Sequence, residues 1–266
     1  VHYSEPISPL QHYPAGLEKL LICAEMGIPL VYIPMPQAGA TAPATMAGTL
    51  AQCNAETLSG LVIQQLKSEG APFIYGGIPS MMDMRCTTYS YGAPELSLMC
   101  AALTDMAHYY RLPMFGTAGC TDARDVDLQA AVESALSCLM SALSGANLVH
   151  DTALMNQATL ISPELMVLTD EILGMIRHIM GGVEVNDETL ALDVIAQAGP
   201  GGNYLGHEHT LRHFRKMWYP DVFERCRYAD WLAGERLSIR ERVNRKTRDI
   251  LEKHQPKLLS KDVLKE

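Results

Sequence analysis

Between Tyr75 and Glu95 the chain gathers three tyrosines, one arginine and two carboxylates around a pair of adjacent glycines. The stretch reads Gly76-Gly77-Ile78-Pro79-Ser80-Met81-Met82-Asp83-Met84-Arg85, followed by Thr87, Tyr89, Tyr91 and Glu95. Adjacent glycines let a ligand approach the backbone closely. Tyr75, Tyr89 and Tyr91 could wall a quaternary ammonium ion, because the face of an aromatic ring attracts a cation. Arg85 offers a planar fork suited to a carboxylate. The same residues also fit a long loop packed by its own tyrosines, with Arg85 paired to Asp83 or Glu95, although loops of this kind are often functional.

Two further places could carry chemistry. Gly116-Thr117-Ala118-Gly119-Cys120-Thr121-Asp122-Ala123 is rich in small residues, which leaves room for a bulky group to come close. Cys120 could act as a nucleophile, but no base lies nearby in sequence, and an inert loop cysteine is the competing role. Asp122 and Asp125 suit the N-terminus of a following helix. His150 and Asp151 close a short apolar run, where a histidine could contact substrate, move a proton, or simply bond a neighbouring loop. His207-Glu208-His209 with His213 invites a metal reading, but the spacing is not HExxH and no third ligand is evident, so helix packing is the favoured role.

The elements that would position these groups follow one theme: a short apolar run, a Gly/Pro/Ser-rich loop, then a long helix. The runs are Leu30 to Ile33, Pro72 to Tyr75, Pro113 to Phe115 and Asn147 to Val149, each short and bounded by turn residues like strands buried on both faces. Helices are expected over residues 44–68, 94–110 and 125–144, with Leu96, Met99, Cys100 and Leu103 on one stripe of the second. Strand–helix alternation points to βαβ units and a parallel sheet. No GxGxxG follows any of the runs, which weakens the dinucleotide-binding doubly wound fold. A (β/α)8 TIM barrel explains why each loop after a strand is the chemically rich one. Eight units take about 250 residues, and only four or five are visible before Asp151, so the remaining units are expected upstream of Val1. From Ser162 onward the pattern is helical. Ser162-Pro163-Glu164 and Asn186-Asp187-Glu188 are start signals, Gly199-Pro200-Gly201-Gly202 is a break, and a charged helix runs from Ser238 to His254 before Pro256. The expected fold is thus α/β: the C-terminal part of a barrel over residues 1–160, then a helical segment over residues 161–266.

Composition narrows the function classes. A formal charge of −9 argues against nucleic acid, because phosphate neutralisation needs clustered Lys and Arg. Seven cysteines without a CxxC pair argue against a disulfide framework or structural zinc, and fit a reducing cytoplasm. No apolar run reaches about 18 residues, so a membrane span is not expected. A barrel lyase or aldolase would need an activated lysine at a strand end, and before residue 200 only Lys19 and Lys67 occur, neither at one.

The order of motifs carries more than any one of them. Gly199-Pro200-Gly201-Gly202-Asn203-Tyr204-Leu205-Gly206, His209-Thr210, His213-Phe214-Arg215, Trp218-Tyr219-Pro220 and Tyr228-Ala229-Asp230-Trp231 resemble the C-terminal signature of the trimethylamine methyltransferase family. Ser4-Glu5-Pro6-Ile7-Ser8-Pro9-Leu10, Gly76-Gly77-Ile78-Pro79-Ser80, Met82-Asp83-Met84-Arg85, Tyr91-Gly92-Ala93-Pro94-Glu95 and Gly116-Thr117-Ala118-Gly119 look like its barrel loops. The resemblance covers nearly the whole chain in order.

It implies a barrel that passes a methyl group from an amine to the Co(I) cobamide of a separate, cognate corrinoid protein, with no cofactor or metal held by this chain. It also implies a cytoplasmic enzyme that self-associates as a homo-oligomer. Founding members use pyrrolysine in a barrel loop; none is written here, and Gly119-Cys120-Thr121 is where its counterpart would stand. Members without it are associated with quaternary amines such as glycine betaine. Thr117 and His150 are then the candidate catalytic residues, and Tyr75, Arg85, Tyr89, Tyr91, Glu95, Cys120 and Thr121 the candidate substrate contacts. A non-catalytic quaternary-ammonium-binding protein, or an inactive truncated remnant, would need the same cage.

Overall fold

The computed structural model describes residues 1–259 and Val263. Along the chain run β1 (His2–Ser4), α1 (Pro14–Met26), β2 (Leu30–Tyr32), β3 (Gln37–Ala38), α2 (Met46–Lys67) and β4 (Phe73–Gly76). There follow β5 (Ser80–Asp83), β6 (Thr88–Tyr89), α3 (Pro94–Tyr110), β7 (Met114–Thr117), α4 (Leu128–Ser144) and β8 (Leu148–His150). A short hairpin, β9 (Leu154–Met155) and β10 (Leu160–Ile161), leads into α5 (Pro163–Met180). The remainder is α6 (Asp187–Leu190), α7 (Leu192–Ala198), α8 (Glu208–His213), α9 (Tyr228–Ala233) and α10 (Ile239–Lys253). No helix among the described residues is long and apolar enough to cross a membrane.

Five strands pair in the order β1-β2-β4-β7-β8, every neighbouring pair parallel. Because strand residues alternate between faces, the register sorts them. Tyr3, Val31 and Ile74 share one face with Phe115, Thr117 and His150; Leu30, Tyr32, Phe73, Tyr75 and Met114 share the other. The second face is covered by helices, with Leu20 and Cys23 of α1, Cys53 of α2 and Leu103 of α3 in its clusters. Neighbouring strands lie about 4.8 Å apart, so the edges of a flat five-stranded sheet would stand about 19 Å apart. Tyr3 on β1 and His150 on β8 nevertheless bring their ring centroids to 6.4 Å. The sheet is therefore curled, with its concave face inward, as in a partial TIM-type barrel.

Local chemistry explains most boundaries. Thr45, Asp127, Ser162 and Ser238 cap α2, α4, α5 and α10 by accepting a backbone N–H of the first turn. The α4 helix starts at Leu128, three residues later than the sequence suggested, because Asp127 supplies that cap. Asp125 instead accepts the Val126 N–H and the Arg240 guanidinium, both at 2.8 Å. Close packing also selects Gly60 on α2: a Cβ there would fall inside the Tyr32 ring. The helix α5 packs on α4 through a core of Leu165, Leu168, Ile172 and Ile176 with Ala118, Ala130, Ala153 and Met155. The stretch expected as one long loop after Gly77 contains a β5–β6 hairpin, with β5 also paired in parallel to β3.

Candidate active site

The concave face ends, at the C-terminal ends of its strands, in a cluster built from β1, β7, β8 and the loops after β6 and β7. Its centre is His150. Its Nδ1 lies 2.8 Å from Asp151 Oδ1, and its Nε2 lies 2.9 Å from Thr117 Oγ1. The carboxylate accepts from Nδ1–H, so the neutral ring keeps its proton there and Nε2 accepts the Thr117 hydroxyl proton. Phe115 stacks on the imidazole at 4.3 Å between centroids, and Tyr3 meets it edge-on. Thr117 is buried, and the His150 and Asp151 side chains are mostly so. The backbone of Asp151 has φ +73°, a left-handed conformation uncommon outside glycine.

Two loops complete the wall. Tyr89 and Tyr91 meet edge to face at 4.9 Å, and the Tyr89 hydroxyl donates to the Ile78 carbonyl at 2.6 Å. Asp122 holds this loop: its carboxylate accepts the N–H groups of Tyr91 and Gly92 at 2.8 and 3.0 Å, and the Ser90 hydroxyl. Glu133 on α4 in turn accepts the Asp122 N–H at 2.9 Å and the Thr121 hydroxyl. At Gly92 a Cβ would meet the Glu133 carboxylate, so a side chain there would have to push that carboxylate away from Asp122 and Thr121. The wall is thus fixed to the helix layer by two successive carboxylates. Burial, then Glu5, Asp151 and Tyr91, push the Tyr3 phenol upward; burial, then Asp151, Cys120 and Asp122, do the same to Tyr91. Both stay as neutral rings at physiological pH. A cavity of about 380 Å³ lined in part by Glu5, Ile33 and Met35 opens near this end of the sheet. A larger one, about 840 Å³, lies between the α9 region and α10 and is lined by ion pairs such as Arg242–Glu224 and Arg245–Glu235.

The residues singled out in the sequence divide accordingly. Thr117, His150, Tyr89, Tyr91, Cys120 and Thr121 come together at or directly behind the concave face. Cys120 is buried against the tyrosines, and burial with the nearby Asp151 raises its thiol well above the usual range. It is therefore protonated and packed rather than nucleophilic. Thr121 is buried, with its hydroxyl spent on Glu133. Tyr75 is not in the cluster. Its ring points into the helix layer, bonded to Asn54 at 2.7 Å and set against Tyr110, because residue 75 falls on the outer face of β4. Arg85 is not there either. It sits at the exposed tip of the β5–β6 hairpin, where Asp83 takes its fork at 2.7 and 3.1 Å and is held down at a pKa of about 2 by those bonds. Glu95 lies in the first turn of α3, where a carboxylate favours the helix N-terminus. In the tail, His209 and His213 stack at 4.3 Å and His213 bonds Glu188 at 3.1 Å.

Sequence reasoning missed Tyr3, Phe115 and Asp151 as site residues, and Asp122 and Glu133 as their supports. Alternation in β7 pairs Phe115 with Thr117 on one face and could have flagged it. Tyr3 carries no such signal, because only the curl of the sheet brings β1 to β8.

Comparison with known proteins gives the family of the chain. The sequence model of the trimethylamine methyltransferase (MTTB) family matches residues 4–266. Trimethylamine methyltransferase MttB of Desulfitobacterium hafniense (strain DSM 10664 / DCB-2) is 35% identical over 258 residues, which are 97% of this chain and 52% of that protein. Glycine betaine methyltransferase of Desulfitobacterium hafniense (strain Y51) is 34% identical over 259 residues, 97% of this chain and 54% of that protein. Trimethylamine methyltransferase MttB of Methanosarcina thermophila is 33% identical over 261 residues, 98% and 53% respectively. The chain spans about half the length of these curated relatives. With a family match over nearly its whole length, the chain belongs to the trimethylamine methyltransferase family.

Proposed function

We propose that the protein takes a methyl group from a small quaternary amine, held at the concave face, and passes it to the cobalt of a cobamide carried by a separate corrinoid protein in the cytoplasm. The observation that carries the reading is the cluster of Tyr3, Tyr89, Tyr91 and Phe115 around the Thr117–His150–Asp151 chain, at the strand ends where barrel enzymes place their chemistry. Family membership and the names of the relatives support methyl transfer from methylated amines; the partner and its cobamide are part of the proposal. The half-barrel is read as the C-terminal part of a (β/α)8 barrel.

A cobamide brought as Co(I) by the partner would supply the nucleophile for the methyl carbon, and the electron pair of the C–N bond would stay on nitrogen. A quaternary nitrogen leaves as a neutral amine and needs no proton, so the work of this chain is positioning and dehydration. Tyr3 and Tyr91 present ring faces and edges to the methyl groups of the cation. His150, fixed at both nitrogens and on one face, forms a floor that cannot rotate. The Asp122 and Glu133 supports keep the Tyr89–Tyr91 wall in register with it. Arg85 is at the hairpin tip and has no part in this arrangement.

The cage is tested by Tyr91→Leu. Cation–π contacts in partly dehydrated sites are worth about 0.5–2 kcal/mol, so affinity for tetramethylammonium should fall about 2- to 30-fold in the folded variant. Calorimetric titration of the full-length protein reads this; unchanged affinity would remove Tyr91 from the site. The opposite result is expected for Arg85→Ala. Glycine betaine affinity should change less than about twofold, because an exposed ion pair contributes little. A tenfold loss would return the guanidinium to the ligand.

A further inference from the structure

We infer that Asp151 is the counter-ion of the substrate's ammonium group and sets the preference of the site for a positively charged ligand over a neutral one of the same shape. The inference rests on the reading of the concave cluster as the amine site. It names a residue and a selectivity that the cage alone does not provide, since an aromatic box also accepts a neutral tert-butyl group by contact.

Three observations support it. First, the Asp151 carboxylate is only half used. Oδ1 lies on His150 Nδ1 at 2.8 Å, while Oδ2 is buried and has no hydrogen-bond partner. A buried carboxylate oxygen without a donor is costly unless something else balances it. A quaternary ammonium has no N–H to give, but its methyl groups carry the positive charge and can rest on such an oxygen. Second, no Lys or Arg pairs with Asp151 among the described residues. Arg85, the arginine among the candidate contacts, is spent on Asp83. The charge balance is thus left to whatever enters. Third, the chain turns at the end of β8, with Asp151 at φ +73° the first of a run of left-handed residues that includes Ala153 and Asn156, so the carboxylate stands at the strand end where the loop begins.

Position agrees with chemistry. The charge of Asp151 is felt by Tyr3, Tyr89, Tyr91, Cys100 and Cys120, so it lies on the side of the sheet that these side chains occupy. A cation between Tyr3 and Tyr91 would have π faces on its sides and this oxygen at its base. That combination favours a full positive charge over size alone, because Coulomb attraction strengthens in a poorly hydrated site.

The test compares ligands that differ in charge and not in shape. Glycine betaine is titrated against 3,3-dimethylbutanoate, and choline against 3,3-dimethylbutan-1-ol, into the full-length protein and its Asp151→Asn and Asp151→Glu variants. In the unaltered protein at least one cation should bind at least about tenfold more tightly than its neutral-carbon partner. In Asp151→Asn that ratio should fall about tenfold while the affinity of the neutral-carbon partner stays within about twofold, and Asp151→Glu should recover part of it. A structural role alone would weaken both members of a pair equally and leave the ratio unchanged, which would overturn the inference. So would a wild-type protein that shows no preference for charge. Methyl transfer is not needed for either readout. A charge preference that depends on Asp151 in a protein that transfers no methyl group would keep the inference and reject the enzymatic reading.

Discussion

Replacing Glu171 with Ala should lower the stability of the fold by about 3 kcal/mol, since three backbone donors lose a largely buried acceptor. Glu171 lies on α5, nearly covered, and its carboxylate accepts the N–H groups of Asp221, Val222 and Phe223 at 3.0–3.2 Å. Val222 is buried in the core shared by α4, α5 and α10, and Arg242 on α10 donates to its carbonyl at 2.8 Å. The segment is therefore pinned from both sides. Losing one pin frees a core residue together with the contact between α5 and α10. For a chain of this size the loss corresponds to a fall in Tm of about 6–12 °C. Calorimetry would read it, and Glu171→Gln, which keeps one acceptor oxygen, should lie between. A change below about 0.5 kcal/mol would show that the clamp contributes little.

The second large effect is on activity. His150→Ala should reduce methyl transfer about 100-fold, because the ring fixes Thr117 and Asp151 and forms the floor against which the amine is set; misplacement of reacting groups by about 1 Å can cost that much. Stability should fall as well, since Asp151 and Thr117 lose a hydrogen-bond partner, so the rate is compared at a temperature where the variant is folded. The informative control is Thr117→Val. Its loss removes the bond to Nε2 but leaves the Asp151 bond, so the rate should fall less than for His150→Ala. Equal losses in the two variants would mean that the hydroxyl itself touches the reacting group.

What could be read from the sequence, and what could not, follows from the range of the forces involved. The α5 start was legible because Ser162 and Pro163 act within one turn, and α3 because Pro94 opens it and its apolar stripe is periodic. The strands β2, β4, β7 and β8 showed as short apolar runs. The strand β1 did not, because His2–Ser4 is three residues without an apolar run, and α1 has no capping side chain at Tyr13. Which face a strand residue takes was harder. In a sheet covered on both sides, Ile74 and Tyr75 are equally apolar, and nothing local says that Tyr75 goes to the helices. Arg85 went astray for a related reason: the choice between a ligand and Asp83 depends on a hairpin that the Gly–Pro-rich stretch did not reveal. His150 and Thr117 were chosen separately. That they touch is a property of parallel β7–β8 register across 33 residues, and Asp151 gained its meaning only from that contact.

The reading of the concave cluster as a methyl-transfer site is tested most directly with the full-length protein and its cognate corrinoid protein reduced to Co(I). A panel of tetramethylammonium, choline, glycine betaine and trimethylamine is added, and methylation of the cobalt is followed by absorbance. Methylation by a quaternary amine, lowered about 100-fold in His150→Ala and weakened in Asp151→Asn, is the predicted result. Binding of a quaternary amine to the cage with no methylation by any member of the panel would contradict the account and leave a binding protein in its place.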